Sequence, residues 1–347
     1  MKSINFFKLI FLISFCFISC KSEEKKNMEM LNAAKNCDWA AVKKLIEQGA
    51  NKNAVNLDDY HYSAVHYAIQ KRDLEGLKML VNHNVNLSIR DINMETPLAL
   101  AVDITFDQAA KLLIENSCDV DVKRNDGLTP LLLAVAQNKT ELVKLIVEKG
   151  ANINYIHEET SMSALPLAVS TKNLEIVKCL VENGADVNIE RKNNYTPLMD
   201  AEDVNIAEYL ISHGARLDCR TVENDEPLSI AARFGRTAVV KLMIDKGAVI
   251  EARNNLGATA LMCACVFGNY DTMKVLIENG ADVNAEAKNM TPISLAVDSE
   301  KNQDIRTIKL LLDNGAKVHN SNWFRTLSEV AEMHGKNDFA KLLRKYE

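Results

Sequence analysis

At 347 residues, 25 % charged and 47 % hydrophobic, the chain has the composition of a folded protein with room for two domains or one long array. A formal charge of −6 argues against general nucleic-acid binding, which draws on basic surfaces, and aromatics at 6 % leave little for stacking platforms. Beyond the N-terminus, no apolar run approaches the roughly 18 residues that a membrane-spanning helix needs.

At the N-terminus, Lys2 and Lys8 flank the way into an apolar run, Leu9 to Ile18, with the charged-then-apolar layout of a secretion signal. The run stops at Cys20 and gives way at once to the polar tract KSEEKKN, Lys21 to Asn27. Phe17-Ile18-Ser19-Cys20 resembles the lipobox of bacterial lipoproteins, in which a small residue precedes a cysteine that is acylated before the signal is cut away. Ser19 is suitably small, whereas Phe17 departs from the usual leucine. The resemblance implies a signal peptide over 1–19, lipidation at Cys20, a flexible tether over 20–28, and a mature chain anchored in the bacterial cell envelope. Two or more acyl chains make such attachment stable, at about 0.8 kcal/mol per buried methylene. Lys21, rather than aspartate, follows the cysteine, which by the same resemblance points to the outer membrane, on its periplasmic or surface face, more than to the inner one.

From residue 29 onward the chain is periodic. Gly-Ala doublets begin at Gly49, Gly150, Gly184, Gly214, Gly247 and Gly280, and again at Gly315, with Asn84-Val85 and Ser117-Cys118 filling the gaps. A second marker keeps the same beat: Thr96-Pro97-Leu98, Thr129-Pro130-Leu131, Thr196-Pro197-Leu198, Thr259-Ala260-Leu261 and Thr291-Pro292-Ile293. Threonine before a helix can accept a bond from an orphan N–H, and proline suits the first helical position. Small residues follow (Ala101, Ala134, Ala168, Ala201, Ala231, Ala264), which let one helix approach the next. A second, amphipathic helix comes next; in Glu141 to Asn154 its inward stripe is Leu142, Val143, Leu145, Ile146 and Val147. Glycine ends it, since a left-handed terminal residue costs glycine nothing. Helices of about ten residues are marginal alone in water, so stacking on neighbours must supply stability.

The unit NDGLTPLLLAVAQNKTELVKLIVEKGANIN, Asn125 to Asn154, resembles the ankyrin repeat, with its T-P-L-H-x-A signature and 33-residue period. The resemblance implies an all-α fold: an ankyrin-repeat solenoid of about ten stacked helix pairs with short β-hairpin-like fingers along one edge. The domain covers 29–347, in units of about 29–55, 56–88, 89–121, 122–154, 155–188, 189–218, 219–251, 252–284, 285–319 and 320–347. Only His66 matches the signature histidine. The unit at 189–218 is three residues short, in the turn around Glu202 to Asn205, and a weakened or bent junction is expected there.

No phosphate loop, nucleophile elbow or HExxH motif occurs, so an enzyme is not expected, nor is a cofactor or a metal. The cysteines after Cys20 are scattered, without zinc or CxxC spacing, and are expected to be buried or isolated thiols. Basic residues recur six or seven positions after five of the nine repeat anchors, those at 84, 117, 184, 214 and 247: Arg90, Lys123, Arg124, Arg191, Arg220 and Arg253. They can form a basic ladder facing an acidic partner, or pair with neighbouring carboxylates. Tyr60, Tyr62, Met94, Tyr155, Tyr195, Leu256, Met290 and Trp323 fall on the fingers, where side chains are expected to project and to anchor contacts. The chain is therefore expected to be a monomeric, non-enzymatic module that binds a protein partner, not nucleic acid, while tethered to a membrane through its lipid anchor. The alternative is a dedicated stabiliser or inhibitor, of the immunity type, of one periplasmic enzyme or toxin.

Overall fold

A computed structural model describes residues 22–318 and 325–347, so the expected signal segment, Cys20 and Trp323 lie outside the described residues. The described chain consists of helix pairs distributed over two compact units, Met1–Glu158 and Glu159–Glu347.

Unit 1 begins with α1 (residues 22–35) and α2 (Trp39–Glu47). Three pairs follow: α3 (Ala64–Gln70) with α4 (Leu74–Asn82), α5 (Pro97–Asp103) with α6 (Asp107–Glu115), and α7 (Pro130–Ala136) with α8 (Thr140–Glu148). First helices pack on first helices (α3, α5, α7) and second on second (α2, α4, α6, α8), giving two layers with a shared core. The tether expected over 20–28 differs from this picture: from residue 22 it is helix. Glu23, Glu24 and Lys25 face water, while Met30, Leu31 and Ala34 further along the helix are buried. Lys26 Nζ donates to Gln48 O at 3.1 Å, and Asn27 Oδ1 accepts from Asn51 N at 2.7 Å, docking the charged turn onto the first repeat.

Unit 2 holds α9 (Ala164–Ser170) and α10 (Leu174–Glu182), α11 (Pro197–Asp200) and α12 (Val204–Ser212), and α13 (Pro227–Arg233) and α14 (Thr237–Asp245). It continues with α15 (Ala260–Phe267) and α16 (Tyr270–Glu278), α17 (Pro292–Asp298) and α18 (Ile305–Asp313), and α19 (Leu327–Met333) and α20 (Asn337–Leu343). The same two-layer packing runs through it.

The repeat markers do mechanical work. Thr96 and Thr129 each accept from the backbone N–H three residues on, at 3.3 Å, and proline opens α5, α7, α11, α13 and α17. Ala101, Ala134, Ala168, Ala201, Ala231 and Ala264 are all buried between helices. In α8, Leu142, Val143, Ile146 and Val147 are buried, but Leu145 is half-exposed because it sits to one side of that stripe. Among the described residues, one finger is a true hairpin: β1 (Val55–Asn56) pairs antiparallel with β2 (Tyr62–Ser63). Others close on single bridges, Arg191 to Tyr195 and Ala287 to Met290.

The short unit loses its three residues from the helix, not from the turn. α11 has 4 residues where α9 and α13 have 7, while the link to α12 keeps three residues, Ala201 to Asp203. A four-residue helix cannot satisfy its own last carbonyls. Arg236, from the next repeat, reaches back to them: Nη1 donates to Met199 O at 2.7 Å and to Ala201 O at 3.4 Å, with Nη2 3.5 Å from Glu202. Asn269 and Lys336 occupy the corresponding position later in unit 2 and donate in the same way, to Ala232 and Arg233 and to Val297 and Ser299.

Candidate protein-binding surface

Most of the basic ladder is engaged within the chain, although Arg90, Lys123, Arg220 and Arg253 remain exposed. Arg124 Nη1 lies 3.1 Å from Glu95 and 3.2 Å from Asp103, and its Nη2 lies 3.2 Å from Asp126. Arg191 forms a fork on Asp200, at 3.0 and 2.6 Å. Arg220 pairs with Glu226, and Arg253 donates to Gly257 O and Glu286 O, tying one finger to the next. Lys123 lies over the Tyr155 ring at 4.2 Å. Arg90 is exposed. Apart from Arg90, these cations hold the fingers in place, consistent with pairing rather than with a free row of charge.

Glu95 is only 7 % exposed, and its burial raises the carboxyl to about 7 although Arg124 opposes this. Arg124 divides its charge among three carboxylates, so the desolvation of Glu95 wins. Nearby, His66 is fully buried; Nδ1 accepts from Ser63 N and lies 2.9 Å from Ser63 Oγ, while Nε2 contacts Glu95 O at 3.4 Å. Burial lowers its pKa to about 4, so it is a neutral cap that links two repeats.

The finger residues separate into three groups. Tyr62 does not project: at 8 % exposure it stacks on His66 and meets Tyr67 edge-on, because β2 turns its side chain toward α3. Tyr155 and Tyr195 are half-buried; Tyr155 donates to Gly127 O at 2.9 Å, and Tyr195 packs on Met199, Cys219 and Ile230. Tyr60 and Met94 do project, at 61 % and 41 %. Two residues not singled out in the sequence join them in unit 1: Leu57 at 71 % and Ile92 at 53 %. Ile92 N donates to Tyr60 O at 2.9 Å, which couples the two finger tips that carry this apolar patch. Their signal was present as apolar residues set among Asp and Asn in segments otherwise polar.

Leu256 and Met290 lie together in unit 2, where they line a groove of about 410 Å³ with Met262, Val266, Phe267 and Leu295. That volume falls within the about 300–1,000 Å³ of ordinary ligand sites. Fingers 254–258 and 287–290 form one wall, and α15 and α17 supply the floor. Cys263 also lines it, with its thiol raised by burial to about 11, too high for nucleophilic work. At one end stands a network that went unrecognised in the sequence. Asp225, 1 % exposed, pairs with Arg233 at 2.5 Å and accepts from Asn254 Nδ2 at 2.8 Å. Its one signal was Asp225-Glu226 in place of the residues that precede Pro130 and Pro292.

A family model made up of three ankyrin repeats matches this chain at four overlapping or adjoining stretches, residues 3–91, 85–157, 155–221 and 201–287. Among solved structures, the chain is similar to the human ASB11 ankyrin repeat domain at 27 % identity and a TM-score of 0.53, over 64 % of this chain and 99 % of that one. It is also similar to the ankyrin repeat domain of Bcl-3, described as a unique member of the IkappaB protein family, at 24 % identity and a TM-score of 0.54, over 61 % of this chain and 97 % of that one. The second likeness is one of fold alone.

Proposed function

From its membership of the ankyrin-repeat family, whose repeats are protein–protein interaction modules, we propose that this chain is a non-enzymatic binding protein held at a bacterial membrane by a lipidated Cys20. The observation that carries the binding reading is the clustering of exposed apolar side chains on the fingers: Leu57, Tyr60, Ile92 and Met94 in unit 1, and Leu256 beside the groove in unit 2. Apolar side chains are stranded in water there, so contact with a partner would gain about 25 cal/mol per Å² of the area it covers.

A photo-crosslinking residue at position 60 or 256 should capture partner protein in the envelope fraction, while one at Lys274 on the exposed side of α16 should not. Equal capture from all three positions would refute the finger edge as the binding surface. The anchor is supported by the lipobox resemblance and by a charged helix starting two residues after Cys20, which would hold the first repeat close to the bilayer. Cys20→Ser should abolish fatty-acid labelling and release the protein from membranes; persistent labelling would refute Cys20 as the acylated residue.

A further inference from the structure

The groove in unit 2 carries a charge bias that the chain as a whole lacks. The sequence has 47 acidic and 41 basic residues, yet the charged side chains lining the groove are Arg233 and Lys288, with no carboxylate among the lining residues. Arg233 is partly answered by Asp225. Lys288 has no hydrogen-bond or ion-pair partner among the described residues and stands exposed at a finger tip. Outside the lining, Lys301 lies over the ring of Phe267 at 4.2 Å.

The lining residues come from three neighbouring helices and two fingers. They run from Arg233 at the end of α13, across α15, to Leu295 of α17. Three neighbouring helices at 8–10 Å spacing span roughly 20 Å, the length of about six extended residues. That shape suits a peptide better than a compact metabolite.

We infer that the groove binds an extended segment of a partner protein in which leucine or phenylalanine side chains are interleaved with carboxylates. The apolar side chains fill the cleft over Met262 and Phe267, and the carboxylates meet Lys288 at the rim. This inference rests on the protein-binding reading above and names the chemistry of the bound segment.

The test is fluorescence anisotropy of the full chain with a labelled octapeptide alternating glutamate with leucine and phenylalanine. Matched peptides replace glutamate by glutamine or by lysine. The glutamate peptide should bind best, the glutamine form roughly fivefold more weakly and the lysine form more weakly still, with the difference shrinking in high salt. Lys288→Glu should reduce glutamate-peptide binding roughly tenfold and shift preference toward the lysine form; Leu256→Glu should weaken every peptide. Both positions are exposed, and thermal melting by circular dichroism checks that the variants fold. Equal binding of the glutamate and glutamine peptides overturns the inference, as does Lys288→Glu without effect. Binding to phosphatidylglycerol vesicles that depends on Lys288, with no peptide binding, also overturns it and assigns these cations to a lipid surface. Crosslinking from position 256 is a separate readout: capture of a partner without any acid preference removes the inference and leaves the protein-binding reading standing.

Discussion

Replacing Arg236 should loosen one repeat without unfolding the others. Its guanidinium is the donor to the last carbonyls of the truncated helix α11, at Met199 and Ala201, and its side chain is 13 % exposed. Arg236→Met removes charge-assisted bonds worth about 1.5–3 kcal/mol and leaves carbonyls whose desolvation costs about 1–3 kcal/mol. Part of that loss is offset, because burial already lowers the Arg236 pKa and its Nε is buried without a partner. A net loss of about 3 kcal/mol remains, which speeds amide exchange on the order of a hundredfold wherever local opening controls it. Arg236→Lys is the informative comparison. Lys336 at the corresponding position reaches both Val297 O and Ser299 O, at 2.7 and 2.6 Å, so lysine there should cost only about 1 kcal/mol. The assay is hydrogen exchange followed by mass spectrometry, comparing peptides of α11 to α14 with those of α17 to α20. Equal loss in the two variants, or loss spread evenly over unit 2, would refute the reasoning.

Three further outcomes can be measured by urea unfolding. Gly76→Ala should destabilise unit 1 by about 1–2 kcal/mol despite alanine's better helix propensity, because the new Cβ would fall 2.0 Å from Trp39 Cε2; a gain in stability would contradict that contact. Thr105→Gly should stabilise by about 0.5–1 kcal/mol, since Thr105 is β-branched at φ 57°, where the equivalent Gly235 and Gly268 sit without strain, and no gain would refute the strain. Stability in acid carries two opposed contributions from one cluster. Lowered to about 4, His66 stays neutral when folded, so its contribution is intact above pH 6.5 and is lost as pH falls toward 4, by about 3 kcal/mol. Raised to about 7, Glu95 takes up its proton earlier in the folded state and gains stability as pH falls from 7 toward 4.5. The wild type should therefore change little between pH 7 and pH 4.5 on account of this cluster, whereas Glu95→Gln should lose stability steeply; an unaltered slope in the variant would sink the assignment.

Much of the architecture was legible because its causes are local. Thr129 caps α7 through a bond spanning three residues, and Pro130 fits the first helical position whatever lies elsewhere. The inward stripe of α8 follows from helical spacing within one segment, with Leu145 the exception at its margin. The function of the candidate residues was harder to see, because it depends on what the next repeat brings. Arg124 could by its sequence face a partner or pair at home, and Glu95, 29 positions earlier, decides for pairing by standing 3.1 Å away. Tyr62 looked like a projecting aromatic until β2 placed it against His66.

The sequence by itself determined a repeated pair of short helices, where each starts and stops, and that neither helix can stand alone, since caps, glycine ends and amphipathic spacing act within a single turn of chain. Only the tertiary structure decided which charges are consumed, that Arg236 completes a helix in its neighbour, and that Leu256 and Met290 share one groove. Those outcomes are set by distances between residues some thirty positions apart, and such distances exist only once one repeat has packed on the next.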